Sequence, residues 1–324
     1  MTYAAPAGKN ITSSVAEPHH DVRDILSDFL KRGMANKHAR HSILRHKDDH
    51  LYDDIIKEVA DIFAAAGDDK IFVERFSRTG CDLAQITYGH TSTEHQHYIA
   101  LYTVCLLYAD DLGIRHLDAL SQFARRFSTG EKQLNPVLDK LTELMRQAYD
   151  LWPQVGADAI VSGTLEAVSA MYIECTSGDM KITPQATLWP NYFRNRSGIC
   201  PPYAHFNFMK NWRSAPDSYL QLLPYLEFYI IAANDVLSFY KEQLAGETKN
   251  YIHIRATTDQ MTPVDMLRQV ADEVLASGER VELLIGDDAQ LMRIWRSFEH
   301  LRIGVLGFHV KTQRYQLAGL TFGS

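Results

Sequence analysis

The sequence predicts an all-α protein, and three observations carry that prediction. Apolar residues recur at helical spacing along most of the 324 residues, as in Val22, Ile25, Leu26, Phe29 and Leu30. Alternating strand patterns of useful length are missing, Tyr251 to Arg255 being the sole candidate. No Gly/Ser/Pro-rich linker divides the middle, so the helices should build one bundle.

Residues 1–18 are rich in Ala, Ser, Thr and Pro and read as a flexible N-terminal arm; residues 19–324 read as a single α-helical domain. Helices are expected over Asp21 to Met34 and over Leu51 to Ala66, the second ending near Gly67. Ile71 to Thr87 should form a third, interrupted around Thr79-Gly80. Ser92 to Leu112 reads as a largely buried helix. Leu117 to Phe127 and Pro136 to Trp152 follow, the latter opening on a proline, which a first turn tolerates well. Val155 to Cys175 is small or apolar nearly all round and suits an interior position. The Pro-rich interval 184–202 should break into short pieces. Long helices are then expected over Pro216 to Leu244, Pro263 to Ser277 and Ala289 to Arg314, where Gly304 and Gly307 allow close helix contact.

Composition narrows the function. A hydrophobic content of 46% supports one large core or two modest ones. The formal net charge of −7 argues against nucleic acid as a partner. An anionic substrate would need local cations or metal ions to offset that background. Cys81, Cys105, Cys175 and Cys200 form no CxxC pair and read as reduced core residues of a cytoplasmic protein. The N-terminus carries no apolar leader, and the apolar run Ile99 to Ala109 is too short for a bilayer, so no membrane role is expected. Among 14 histidines, His95 and His97 lie two apart, ~200° around a helix, and cannot grip one metal together.

Chemistry concentrates at Asn234-Asp235-Val236-Leu237-Ser238-Phe239-Tyr240-Lys241-Glu242. Asn234, Ser238 and Glu242 fall four apart, and each step of four drifts by only ~40°, so an amide, a hydroxyl and a carboxylate share one helix face. Three hard oxygen ligands suit Mg²⁺. Such spacing also arises by chance on exposed helices. Here, however, the run Leu222 to Ala233 is apolar apart from Glu227, which a solvated face seldom shows. Asp110-Asp111 repeats the arrangement, following eleven residues without charge. Four other aspartate pairs, such as Asp53-Asp54, follow polar residues and read as surface or capping groups. Arg194 and Arg196 lie in Tyr192 to Gly198, and arginine's planar fork can hold two phosphate oxygens at once. Either arginine could equally be an ordinary surface residue.

The string NDVLSFYKE resembles the second metal motif, NDxxSxxxE, of class I terpene synthases, and in particular that of the fungal trichodiene synthase-like sesquiterpene cyclases. The resemblance implies a single-domain class I terpenoid synthase-like bundle around an apolar active-site cavity. Asp110 would be the metal-binding aspartate of the aspartate-rich motif, although Asp110-Asp111-Leu112-Gly113-Ile114 lacks the usual acid further along. Metal ligands would be Asp110, Asn234, Ser238 and Glu242, holding three Mg²⁺ once diphosphate is bound. Arg194 would sense the diphosphate ahead of a helix break at Gly198 that presents a backbone carbonyl. Lys241 would add a cation, Arg314 would clamp the leaving group and Tyr315 would donate a hydrogen bond to it.

Farnesyl diphosphate is the implied substrate and a cyclic sesquiterpene hydrocarbon or alcohol the implied product, with a homodimer left open. Aromatic faces stabilise carbocations, and Phe72, Phe76, Trp295 and Phe308 are the candidate walls. Two rival readings are a non-catalytic ligand-binding protein of the same fold and a helical metal-dependent phosphohydrolase.

Overall fold

A computed structural model describes residues 17–35, 50–67, 70–112, 115–213, 217–299, 306, 308 and 309. Among these residues the secondary structure is helical throughout. The first seven helices are α1 (Glu17–Ala35), α2 (Leu51–Ala66), α3 (Lys70–Thr87), α4 (Thr93–Leu112), α5 (Leu117–Thr129), α6 (Pro136–Leu151) and α7 (Gln154–Thr176). The second half holds α8 (Trp189–Ser197), α9 (Cys200–His205), α10 (Asp217–Leu220), α11 (Leu223–Leu244), α12 (Tyr251–Asp259), α13 (Pro263–Ile285) and α14 (Ala289–Glu299).

Local chemistry explains most boundaries. Gly67 and Gly130 take the left-handed conformation that stops α2 and α5. Asn135 caps α6 by accepting from the Val137 N–H at 2.8 Å, with Pro136 in the first turn where its missing N–H costs nothing. Thr262 caps α13 in the same way ahead of Pro263.

Four expectations are corrected. α3 runs through Gly80 without interruption, because that glycine serves packing rather than breaking. A Cβ there would lie 2.5 Å from the Ala100 carbonyl oxygen, so the backbones of α3 and α4 meet at a point where no side chain fits. The strand candidate Tyr251 to Arg255 is the start of α12, nucleated by Asn250, whose Oδ1 accepts from the His253 N–H at 3.0 Å. The segment expected as one helix from Pro216 is two, α10 and α11, and the second carries its own proline in the first turn. α13 extends to Ile285, eight residues past Ser277. Gly304, Gly307, Arg314 and Tyr315 lie outside the described residues, as do residues 1–16 of the expected arm, while α1 already starts at Glu17.

α4 is the central rod. It packs on α3, α6, α2 and α7, while α11 packs on α13 and α9 across the interior. Around the N-terminal half of α4 an aromatic cluster fills the core: Tyr98 to Trp152 at 4.7 Å, Trp152 to Phe206 at 5.1 Å and Tyr102 to Phe206 at 5.3 Å. Each such side chain contributes about 1.5–3 kcal/mol by burial. Their hydroxyls are not left orphaned. Tyr98 donates to the Leu144 carbonyl at 2.8 Å, and Tyr102 pairs with Thr164 at 2.6 Å. Outside the core, Glu58 joins α2 to α4 and α6 through His97 at 3.2 Å and Lys140 at 2.8 Å. The base of α4 is therefore fixed on several sides, and its C-terminal end projects toward the site. Cys81, Cys105 and Cys200 are buried thiols, whereas Cys175 is exposed. No helix among the described residues is long and apolar enough to cross a membrane.

Candidate active site

A cavity of about 290 Å³ opens among α3, α4, α7, α11 and the α8–α9 junction. Its depth can be read along α3. Thr79, Leu83 and Thr87 all line it, and these two helical steps of four residues cover ~12 Å. Tyr88, Thr103, Tyr203 and Phe298 line it together with Asp110, Glu174, Arg194, Ser197 and Asn234. The wall mixes aromatic and aliphatic side chains with the hydroxyls of Thr79, Thr87 and Thr103, and charge is supplied by Asp110 of α4, Glu174 of α7 and Arg194 of α8.

Asp110 is exposed where the uncharged run of α4 ends. The neighbouring Asp111 is engaged elsewhere, accepting from Arg75 at 2.6 Å. Arg75 in turn lies over the rings of Phe72 at 5.1 Å and Phe76 at 4.7 Å. Glu174, from the end of α7, has its carboxyl pushed up first by desolvation and then by the charge of Asp110, with Arg194 acting in the opposite direction. Two carboxylates thus repel one another across this opening, an arrangement that a cation would relieve.

Asn234 faces the cavity from α11, and the next residue, Asp235, carries the most extensive ion pair of the site. Arg194 Nε donates to Asp235 Oδ2 at 2.9 Å and Oδ1 at 3.1 Å, and Nη2 donates to Oδ1 at 2.7 Å. Burial works against the guanidinium charge, but Asp235 more than offsets it and holds Arg194 charged. Gly198 sits one turn after Arg194, where an added Cβ would lie 1.9 Å from Ile231 Cδ1. Only glycine lets α8 approach α11 so closely. Gly198 itself stays near helical geometry, with φ −80°; the left-handed residue at the break is Ile199, with φ 56°. A β-branched residue in that region is strained, so the break is held by its surroundings rather than by local preference.

A second pocket of about 180 Å³ shares Glu174, Arg194, Ser197 and Asn234 with the first and adds the polar side chains of Asp235, Glu242, Lys249 and Asn250. Ser238, one turn before Glu242, is 2% exposed, and its hydroxyl donates to the Asp235 carbonyl at 3.4 Å. Asn250 Nδ2 donates to Glu242 Oε2 at 2.8 Å, tying the start of α12 to the end of α11. Burial pushes the Glu242 carboxyl up, and Ser238 moves it back in part. These donors are all oxygen, and one is a carboxylate whose charge the surroundings disfavour. That chemistry fits a hard divalent cation. Among the described residues no three His, Cys, Asp or Glu side chains converge as a metal site, so a cation here would depend on the neutral oxygens of Asn234 and Ser238 as well.

Residues 69–321 match the trichodiene synthase (TRI5) family. The chain belongs to that family. As a trichodiene synthase-family protein it is a terpene cyclase, and its relatives are terpene synthases along most of their length. It is 34% identical over 252 residues to terpene synthase BipA of Cochliobolus sativus, covering 76% of each chain. It is 28% identical over 299 residues to alpha-cuprenene synthase COP6 of Coprinopsis cinerea, covering 92% of this chain and 89% of that protein. Its fold matches linalool/nerolidol synthase from Streptomyces clavuligerus in complex with 2-fluorogeranyl diphosphate at a TM-score of 0.61 and 15% identity, covering 86% of this chain and 99% of that one.

Within this terpene cyclase, the residues singled out from sequence separate into groups. Asp110, Arg194, Gly198, Asn234 and Phe308 line the main cavity. Glu242 lines the adjoining second pocket, and Ser238 lies buried between Asn234 and Glu242 on the same face. Lys241 is half-buried near Glu242 but lines neither pocket. Three proposed aromatic walls lie elsewhere. Trp295 is buried edge-on against Tyr229 at 5.2 Å. Phe76 packs toward Phe63 at 6.2 Å, and Phe72 and Phe76 form the bed for Arg75. Helical spacing put the two phenylalanines on one face correctly but could not say which face looks inward. Tyr88, Tyr203 and Phe298 take that place. Arg196 stacks on Tyr192 at 3.8 Å and donates to the Tyr192 carbonyl. Sequence reasoning missed Glu174, Asp235 and Asn250.

Proposed function

We propose that this terpene cyclase is a sesquiterpene synthase: it ionises farnesyl diphosphate with the help of Mg²⁺ and closes the resulting cation into a cyclic hydrocarbon or alcohol. The observation that carries the reading is that Asp110 and Asn234, from two different apolar helices, line one cavity together with Arg194. The similarity in fold to a synthase in complex with 2-fluorogeranyl diphosphate points the same way.

Asp110 would hold metal from α4, and Asn234, Ser238 and Glu242 from α11; by resemblance three ions would be held. Mg²⁺ bound there supplies positive charge to the oxygens of the departing diphosphate. Arg194 and Lys241 add fixed cations where negative charge grows as the carbon–oxygen bond breaks and its electron pair leaves with the diphosphate. Arg314 and Tyr315 are assigned the same task from the C-terminal segment. The wall then acts on the allylic cation. The rings of Tyr88, Tyr203, Phe298 and Phe308 line the cavity, and aromatic rings stabilise positive charge without forming bonds to it. Leu83, Leu106, Leu107 and Ile230 exclude water and fold the chain into a cavity ~12 Å deep along α3. A proton finally leaves the cation for the released diphosphate, giving an olefin; a single admitted water would instead give an alcohol. Residues 19–324 act as one catalytic unit in the cytoplasm, with a homodimer as the proposed assembly.

The test is to incubate the purified chain with farnesyl diphosphate, with and without Mg²⁺, and to analyse the extract by gas chromatography. A cyclic C15 product that disappears on chelation is the expected result. Farnesol alone would mark a phosphohydrolase, and unconsumed substrate a binding protein; either would overturn the reading.

A further inference from the structure

Three contacts between Arg194 and Asp235 join α8 to α11 at the boundary between the two pockets, and both residues line the second. Asp235 follows Asn234 by one residue, a rotation of ~100° about α11 that brings it to the Glu242 edge of the ligand stripe, and from there its carboxylate reaches Arg194 on α8. Its side chain is 9% exposed against 22% for Arg194. The aspartate is thus the enclosed partner, and the arginine the one that still reaches open space. The pairing is side-on. Nε and Nη2 are used by Asp235, whereas Nη1 makes no hydrogen bond with the described protein.

An arginine anchored along one edge presents its remaining N–H groups in a fixed plane, and a planar fork recognises phosphate oxygens only in the correct plane. Without the anchor, a guanidinium on a flexible stem would have to be ordered at the moment of binding, at a cost in affinity.

We propose that Asp235 is a positioning residue: it fixes the plane of Arg194 and thereby sets how tightly the diphosphate group is held. The inference rests on Arg194 being a diphosphate contact, as proposed above. Asp235 itself touches neither substrate nor metal. A plain structural brace between α8 and α11 would show different behaviour. Removing a brace lowers stability but leaves the recognition of diphosphate by the folded protein intact.

The experiment is a mutant cycle of Arg194→Ala, Asp235→Ala and their double variant, with Asp235→Asn as an isosteric fourth. Each is measured for inorganic pyrophosphate binding with Mg²⁺ by calorimetry, for kcat and KM, and for melting temperature. Asp235→Asn and Asp235→Ala are expected to weaken pyrophosphate binding about 10- to 100-fold, the range seen when a residue that orients a ligand is lost. Asp235 also pairs with the Asn234 side chain, so the cycle separates the two routes: if the aspartate acts through the arginine, the double variant should bind no worse than Arg194→Ala, whereas a route through Asn234 would add a further loss. Should Asp235→Ala not fold, Asp235→Asn compared with the double variant carries the same test. Losses that multiply in the double variant would overturn the proposal. So would a lowered melting temperature with pyrophosphate binding within twofold of the parent. The binding cycle does not depend on farnesyl diphosphate: an inactive parent that still shows a non-additive cycle would sink the substrate assignment and leave this one standing.

Discussion

The ends of α4 and α11 bring oxygen ligands to the same cavity, yet they are built differently. Asp110 stands exposed at the end of α4, and its neighbour Asp111 is drawn aside by Arg75. On α11 the ligand face is enclosed: Ser238 is buried, Glu242 is held by Asn250, and Asp235 is locked to Arg194. One side is open to arriving charge, and the other is assembled in advance. The comparison suggests that α11 sets the geometry of the site, while α4 supplies charge where solvent and substrate enter.

The largest expected effects test whether both sides are needed. Asp110→Ala and Glu242→Gln should each lower the rate of diphosphate release about 10²- to 10³-fold at an unchanged melting temperature, measured by a coupled phosphate assay. A large loss in only one of them would break the pairing of the two ends. Next in size is Asn250→Ser, which keeps a capping oxygen for α12 but removes the donor to Glu242. The Mg²⁺ concentration needed for half-maximal rate should rise about tenfold, while Asp111→Asn leaves it unchanged.

A third outcome concerns the polarity of α11. Burial pushes the Glu227 carboxyl up to about 7, above its unfolded value. A raised acid contributes stability below its unfolded pKa, and that contribution is lost as pH climbs through about 7. Glu227→Gln should therefore match the parent in unfolding free energy at pH 4 and exceed it at pH 8 by about 1 kcal/mol, once solvent contact is allowed for. A variant without that crossover would mean that α11 is wetter than its packing suggests. The smallest effect is expected at Asp111→Asn, which removes an exposed pair with Arg75: under about 1 kcal/mol by thermal unfolding, and turnover within twofold.

Much of this was legible in the sequence because periodicity and punctuation agree. Apolar runs ending in Asp110 and Asn234 marked two helices that do reach one cavity. Asp235 stands outside the i, i+4, i+8 spacing that marks Asn234, Ser238 and Glu242. The same arithmetic puts Asp235 and Glu242, seven apart, within ~20° of each other. That signal was available, but nothing in the chain names Arg194 as the partner from 41 residues away. Asn250 is masked by the β-branched and aromatic residues after it, which carry strand propensity, although an asparagine ahead of a helix is a strong cap. Glu174 gave no signal, being an acid at the end of a helix read as interior. Pocket-facing aromatics could not be chosen at all, since a ring at helical spacing looks alike whether it meets a neighbour or a cavity.

The contact at Gly80 has a mechanical consequence. With the α4 backbone pressed directly on α3, the two helices cannot slide past one another without collision, and they form a stiff plate. The cavity wall formed by α3 and α4 is thus rigid, in contrast to the α8–α9 junction, where the polypeptide turns at Ile199 with a left-handed φ of 56°.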